Sequence, residues 1–337
     1  MQEQSRQAGQ LTATPTATAA EPPRAWLVAL ALGIVYVVWG STYLAIRVVV
    51  EDLPPMASAS WRYLVAGLLL GAILATRSGI GRLRVSAREL AGCAALGALL
   101  PALGNGLVSV GEHEGAPSGV AALLVAAVPL WVIVYRRLSG DRPSRRTTYG
   151  VLLGFGGLVL LITSQGLGGE VKIGASLVIM CATVFWSFGS WSTSRLPLPK
   201  DAFVLTVYEM LFGALWLLVF ASLRGEHVLP VSAPLDAWLA WAYLVTFGSV
   251  VAFTAYVWVL SVAPISLVAT YAYVNPVVAV FLGWLILSES VTVPILVGGA
   301  IVVGAVAVVV SAERQTSRIA AAERAAERED AAPSACG

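Results

Sequence analysis

Val291-Thr-Val-Pro-Ile-Leu-Val-Gly-Gly-Ala-Ile-Val-Val-Gly-Ala-Val-Ala-Val-Val-Val-Ser311 carries no charge over 21 residues. A helix crossing the hydrocarbon core of a bilayer needs ~20 such residues. The reading extends from there to the whole chain. Nine more apolar runs of comparable length precede this one: 26–46, 56–76, 90–110, 118–135, 147–163, 173–194, 202–221, 237–260 and 265–287. Lipid offers the backbone no hydrogen bonds, so each run is expected to be a helix. Charged residues make up 12% of the 337 residues, against about 25% in soluble domains. That deficit rules out a water-facing surface over most of the molecule. The fold class is therefore all-α integral membrane, with ten transmembrane helices.

Lys and Arg fix the orientation. With a cytoplasmic N-terminus, seventeen of the 21 basic residues fall in inside segments, and only Arg47, Lys172 and Arg224 fall outside. An even helix count then places both termini in the cytoplasm. Residues 1–25 read as a disordered cytoplasmic start rich in Ala, Thr, Gln and Pro. They lack the apolar core and cleavage site of a signal peptide, so the first apolar run is expected to remain. Residues 312–337 form a charged cytoplasmic tail, read as solubilising or as a short solvated helix. Cys93, Cys181 and Cys336 have neither metal-ligand spacing nor a disulfide framework.

A shift of 147 residues superposes the two halves. Trp39 falls on Trp186, Pro129 on Pro276, Pro117 on Pro264 and Arg62 on Glu209; with one residue of slip, Gly150 falls on Gly298 and Gly156 on Gly304. Residues 26–163 and 173–311 thus read as two copies of one five-helix unit. An odd helix number inverts the second copy. Inverted repeats are common in transporters, which place the substrate between them near the midplane.

Few residues break the apolar pattern. Most of the eleven tryptophans lie near helix ends, where headgroups suit them. Trp39 and Trp186 lie deep in equivalent helices, so their indole N–H groups need acceptors. They pack against a backbone carbonyl or line a cavity. Arg62 and Glu209 are the two charges inside the spans. Such charges cost at least ~2.5–3.5 kcal/mol at the bilayer centre and face protein or water. At ~1.5 Å per residue, Arg62 lies about 9 Å from the outer end of helix 2, and Glu209 about 10 Å from the inner end of helix 7. A direct ion pair is not expected, while Glu51, Glu112 and Glu114 lie within reach of Arg62. Snorkelling for Arg62 and a neutral structural carboxyl for Glu209 are the competing readings. The stretch 104–118, which ends helix 3 and opens helix 4, gathers Asn105, Glu112, His113 and Glu114. Tyr271 and Asn275 share a helix face, and Pro276 frees a carbonyl one turn earlier. That combination suits a polar cavity wall or a structural kink.

Together these residues give a candidate site. Trp39, Tyr43, Asn105, Trp186, Tyr271 and Asn275 line a substrate cavity. Arg62 and Glu209 serve charge recognition or coupling, and Glu112 and His113 an outer gate. No phosphate-binding loop, zinc motif or nucleophile elbow is present, so no catalytic residue, metal or cofactor is assigned. No basic stripe points to nucleic acid. The expected partners are a small-molecule solute, the lipid bilayer and protons as a coupling ion, with no obligate protein partner.

Several of these stretches carry a family resemblance. Trp39-Gly-Ser-Thr-Tyr-Leu-Ala-Ile-Arg47, Leu53-Pro-Pro55 and Trp61-Arg-Tyr63 resemble the start of an EamA repeat, as does Gly104-Asn-Gly-Leu-Val-Ser-Val-Gly-Glu-His113 with Pro117-Ser-Gly119. Tyr208-Glu-Met210, Phe247-Gly-Ser249 and Tyr271-Ala-Tyr-Val-Asn-Pro276 look like the YedA-like branch. The EamA family lies within the drug/metabolite transporter superfamily. The resemblance implies two inverted five-helix repeats and a bacterial inner-membrane carrier, usually exporting amino acids, metabolites or drugs. It also implies Glu289 as a helix-end structural residue, a place the first repeat leaves without Glu. The expected function is secondary-active export by alternating access around a central cavity. Tyr and Trp walls with few fixed charges favour amphiphilic or neutral-to-zwitterionic solutes. The alternatives are a membrane-embedded lipid-modifying enzyme, for which the spans supply only Glu209, and a non-transporting sensor.

Overall fold

The computed structural model describes residues 25–140, 142–167, 173–193, 195–230, 232–262 and 271–330, and among these it is helical with no strand. The expectations for residues 1–24 and 331–337 lie outside the described residues. The helices are α1 (Ala25–Asp52), α2 (Pro55–Ser78), α3 (Ala87–His113), α4 (Ser118–Leu138), α5 (Arg145–Leu167), α6 (Ile173–Ser192), α7 (Ala202–Leu223), α8 (Leu235–Tyr243, continuing through Ala252–Val262), α9 (Tyr271–Leu287) and α10 (Val293–Asp330). By length and composition, eight described helices can cross a membrane: α1 to α4, α6 to α8 and the Val293–Ala312 part of α10. A shorter apolar stretch, Val274–Leu287, lies in α9. The charged tail continues α10 as helix to Asp330.

Side-chain placement is that of a protein with lipid as its outer solvent. Large apolar side chains such as Val37, Leu68, Leu152, Val159, Leu177 and Leu285 face outward. The interior holds large side chains such as Leu124, Leu130, Ile179 and Leu217 together with many small ones, Ala57, Ala66, Ala102, Ala121, Ala175 and Ala221 being fully buried. Small residues let helix backbones approach closely where no hydrophobic effect drives association. At Gly97 of α3, a Cβ would sit 2.8 Å from the Gly213 nitrogen of α7 and 3.0 Å from the Glu209 carbonyl.

The pairing of helices is symmetric between the halves. Helix α1 packs on α8 and α9, while α6 packs on α3 and α4. Helices α2 and α7 pair with each other, as do α4 with α9 and α5 with α10. Each half thus lends its first helix to the other. The α2–α7 pair is tied at both ends. Glu226, just after α7, accepts the Met56 and Ala57 N–H groups at the start of α2, both at 3.0 Å. Arg82, just after α2, meets Asp201 at the start of α7 at 2.7 Å. The two links also show that the helices run antiparallel.

Two local departures from α-geometry are also related by the repeat. Ala98–Asn105 in α3 and Leu244–Val251 in α8 are π-helical. Pro101 removes a backbone donor from the first. The second contains no proline, and packing must hold it. Such π-segments occur often at functional sites.

Two outcomes test this packing. Gly97→Ala should lower the thermal midpoint in detergent, with a cost of about 1–3 kcal/mol for overpacking. Gly156→Ala should be neutral or slightly stabilising, because nothing lies within 4 Å of its added Cβ. The second outcome concerns Asp201. Burial opposes its ionisation, but hydrogen bonds from Arg82 and the Phe203 N–H outweigh it and hold the carboxyl below its ordinary range. A carboxylate with a lowered folded pKa stabilises above its unfolded pKa and loses that contribution as pH falls through the folded one. Acid should therefore destabilise the wild type more than Asp201→Asn, as read by thermal unfolding across the acid range.

Candidate functional site

The two π-segments face each other across a cavity of about 140 Å³. Pro101, Gly104 and Asn105 come from the first, and Gly248 and Ser249 from the second. Trp39, Tyr43, Trp186, Tyr271 and Asn275 complete the wall together with Arg62 and Glu209. The eight residues read from the sequence as cavity and charge positions therefore border one space, drawn from six helices in both halves.

Each is held for a local reason. The Trp39 indole donates to the Gly248 carbonyl at 3.2 Å. This residue both packs on a carbonyl and lines the cavity, so the two readings of the sequence are compatible. Its ring lies 4.9 Å from Tyr256, 5.4 Å from Tyr271 and 6.1 Å from Phe253, centroid to centroid. Aromatic pairs at such spacings attract beyond their area burial, so these rings brace one another. Trp186 fits because Gly104 has no side chain; a Cβ there would lie 2.7 Å from the Trp186 ring. The Asn275 amide, oriented to satisfy its neighbours, donates to the Tyr271 carbonyl at 3.2 Å and the Tyr36 carbonyl at 3.3 Å. The Asn105 amide oxygen is buried without a protein partner among the described residues, leaving an acceptor in the cavity wall.

Arg62 is 6% exposed. Its Nε donates to the Ser249 hydroxyl at 3.0 Å, and its guanidinium lies 5.0 Å from the Tyr63 ring centre. No described carboxylate lies within 4.0 Å of it. The sequence offered Glu51, Glu112 and Glu114 as partners, and the structure supplies none of them. The π-turn of α8 brings Ser249 to Arg62 instead, and Arg47 takes Glu51 at 3.2 Å and donates to the Glu112 carbonyl. Glu209 borders the same cavity without pairing to Arg62. The cavity thus holds one cation and one carboxyl that do not neutralise each other.

Glu112 and His113 do not border the cavity. They lie where α1, α3, α4 and the α9–α10 turn converge. His113 Nδ1 lies 2.6 Å from the Val50 carbonyl. Glu289 accepts the Ser118 N–H at 2.7 Å, the Ser118 hydroxyl at 3.0 Å and the Gly119 N–H at 3.2 Å. It caps α4 from the opposite half, a helix-end role like the one the family resemblance implies. Ser249, Thr42 and Thr206 also border the cavity; Ser249 and Thr42 fall in stretches that carry the family resemblance, but none of the three was read as a cavity residue. Only the short polar side chain of Ser249 in an apolar run signals its place.

The fold and cavity define a class: a multi-pass helical membrane protein enclosing a polar and aromatic chamber between two structurally related halves. The EamA-like transporter family model matches residues 18–163 and 173–311. The chain belongs to the EamA-like transporter family, which consists of transporters and not enzymes. It is 38% identical over 253 residues to the uncharacterized inner membrane transporter YedA of Escherichia coli (strain K12), covering 75% of this chain and 80% of that protein. It is 24% identical over 282 residues to the uncharacterized transporter YoaV of Bacillus subtilis (strain 168), covering 82% and 94%. A crystal structure of a further protein aligns with a TM-score of 0.57 at 21% identity, over 86% of this chain and 98% of that one. That likeness concerns the fold alone.

Proposed function

We propose that this transporter is a secondary-active exporter of the inner membrane that moves small metabolites, amino acids or amphiphilic drugs by alternating access. Its architecture is then ten spans in two inverted five-helix repeats, with both termini cytoplasmic. The symmetric helix exchange, the paired π-segments and the 17-to-3 distribution of basic residues support this reading. Rocking of one helix group against the other around a fixed site is how such repeats expose a substrate alternately to each side.

The observation that carries the reading is that both halves contribute an ionisable side chain to one cavity, Arg62 and Glu209, and that these do not pair with each other. Arg62 has donors to spare, and Glu209 offers a carboxyl elsewhere on the same wall. Trp39, Tyr43, Trp186 and Tyr271 supply apolar surface, and Asn105 and Asn275 supply amides. Such a chamber suits neutral-to-zwitterionic or amphiphilic solutes better than a highly charged one. Glu112 and His113 belong to the outer gate, where His113 closes on Val50.

Reconstitution tests this directly. Proteoliposomes should show saturable counterflow of at least one amino acid or amphiphilic amine. For a carboxylate-bearing substrate, Arg62→Ala should weaken apparent affinity about tenfold to a hundredfold, from ~1.5–3 kcal/mol for a hydrogen bond to a charged group. Efficient transport of a sugar nucleotide, or flux unaffected by Arg62→Ala, would exclude this assignment of the cavity.

A further inference from the structure

Among the described residues, Glu112 is a fully buried carboxyl that lies outside the cavity. It is 0% exposed, and neither carboxyl oxygen has a hydrogen-bond partner. An ionised carboxylate buried without donors is far more costly than the neutral acid. The surrounding groups are otherwise engaged. From α1, Arg47 donates to the Glu112 backbone carbonyl and pairs with Glu51 at 3.2 Å. From the turn after α9, Glu289 is a full acceptor for Ser118 and Gly119 and lies within electrostatic reach of Glu112. On its own turn, His113 meets the Val50 carbonyl, and Glu114 is half-buried. From α2, Arg62 donates to Ser249 with Tyr63 beside it and borders the cavity, which Glu112 does not. Helix α6 places Ala175 and Ile179 against the neighbouring Gly111, and its one cysteine, Cys181, is exposed. Helix α4 brings Ser118 here and no ionisable side chain. Among the described residues no cation pairs with the Glu112 carboxyl within 4.0 Å; Arg47 acts on it only from the backbone side, and a second carboxylate, Glu289, stands nearby.

We propose that Glu112 is a proton-binding carboxyl that controls the outer end of the bundle, which closes only when Glu112 carries a proton. The step is simple. Glu112 as carboxylate takes one proton from outer water and becomes the neutral acid that can be sealed without donors. On opening it returns that proton to water, and Arg47, released from the Glu112 carbonyl, reaches the carboxylate. Tyr43 joins this gate to the cavity, because it borders the cavity and lies within electrostatic reach of Glu112. The proposal rests on the transporter reading for its role in a cycle, but its geometry stands apart from that reading.

The test needs no substrate. A Glu114→Cys reporter on the outer turn is labelled in intact cells with a membrane-impermeant maleimide, and the parent chain with its own three cysteines serves as the blank. Relative to the same reporter in Glu112→Gln, labelling should rise about tenfold per pH unit on the alkaline side, the slope one proton imposes. Glu112→Gln should stay protected at every pH, and Glu112→Asp should restore the dependence. Infrared spectra of the purified protein should contain the carbonyl band of a protonated carboxyl, lost in Glu112→Gln and shifted in Glu112→Asp. The Asp variant keeps the infrared test available should the Gln variant fail to fold. Equal pH dependence with and without Glu112, or a carboxyl band unchanged by either substitution, overturns the proposal. Absence of solute flux in the wild type would instead remove the transporter reading and leave the labelling slope to decide the proton site.

Discussion

Hydrocarbon supplies no hydrogen bonds, and the rest of the structure follows from that. Backbone groups must pair within helices, and side chains with polar atoms must turn toward one another. In this chain several of them turn toward one cavity. Trp39 reaches a carbonyl of α8, Arg62 reaches a hydroxyl of the same turn, and Asn275 reaches carbonyls of α9 and α1. These bonds join the two halves at the wall of the cavity. The outer surface has no such demands, so leucine and valine face lipid there, while alanine and glycine fill the contacts between helices.

The symmetry of the pairing gives the cavity its character. Because α1 and α6 each pack into the opposite half, Trp39 and Trp186 enter the chamber from related positions. The π-segments of α3 and α8 do the same. The repeat is not symmetric in charge, however. Arg62 and Glu209 occupy equivalent sequence positions with opposite signs. A chamber built this way has two chemically distinct sides.

The sequence revealed much of this for identifiable reasons. Long apolar runs are legible because a span must be nearly continuous, and a residue such as Arg62 or Asn275 stands out because its cost in lipid is high. The cavity list was readable on the same ground. Other features depend on tertiary contacts that no local pattern encodes. The π-turn in α8 contains no proline to announce it, so Ser249 could not be paired with Arg62 in advance. Glu226 and Arg82 lie in turns that look ordinary until α2 and α7 are side by side. Glu112 stood out as a polar residue at a helix end, but that Arg47 meets its backbone carbonyl and leaves its carboxyl without a hydrogen bond appears only once α1, α3, α4 and the turn after α9 are brought together.

Ligand-induced stabilisation of the purified protein in detergent, screened against amino acids, nucleosides and cationic drugs, tests the central claim that both halves jointly form the solute site. A ligand at 100 times its dissociation constant should stabilise the fold by about 2.7 kcal/mol. The account predicts a hit whose effect is lost both in Trp39→Ala from the first half and in Asn275→Ala from the second. A hit unaffected by either substitution would contradict it, because the solute would then bind somewhere other than this cavity.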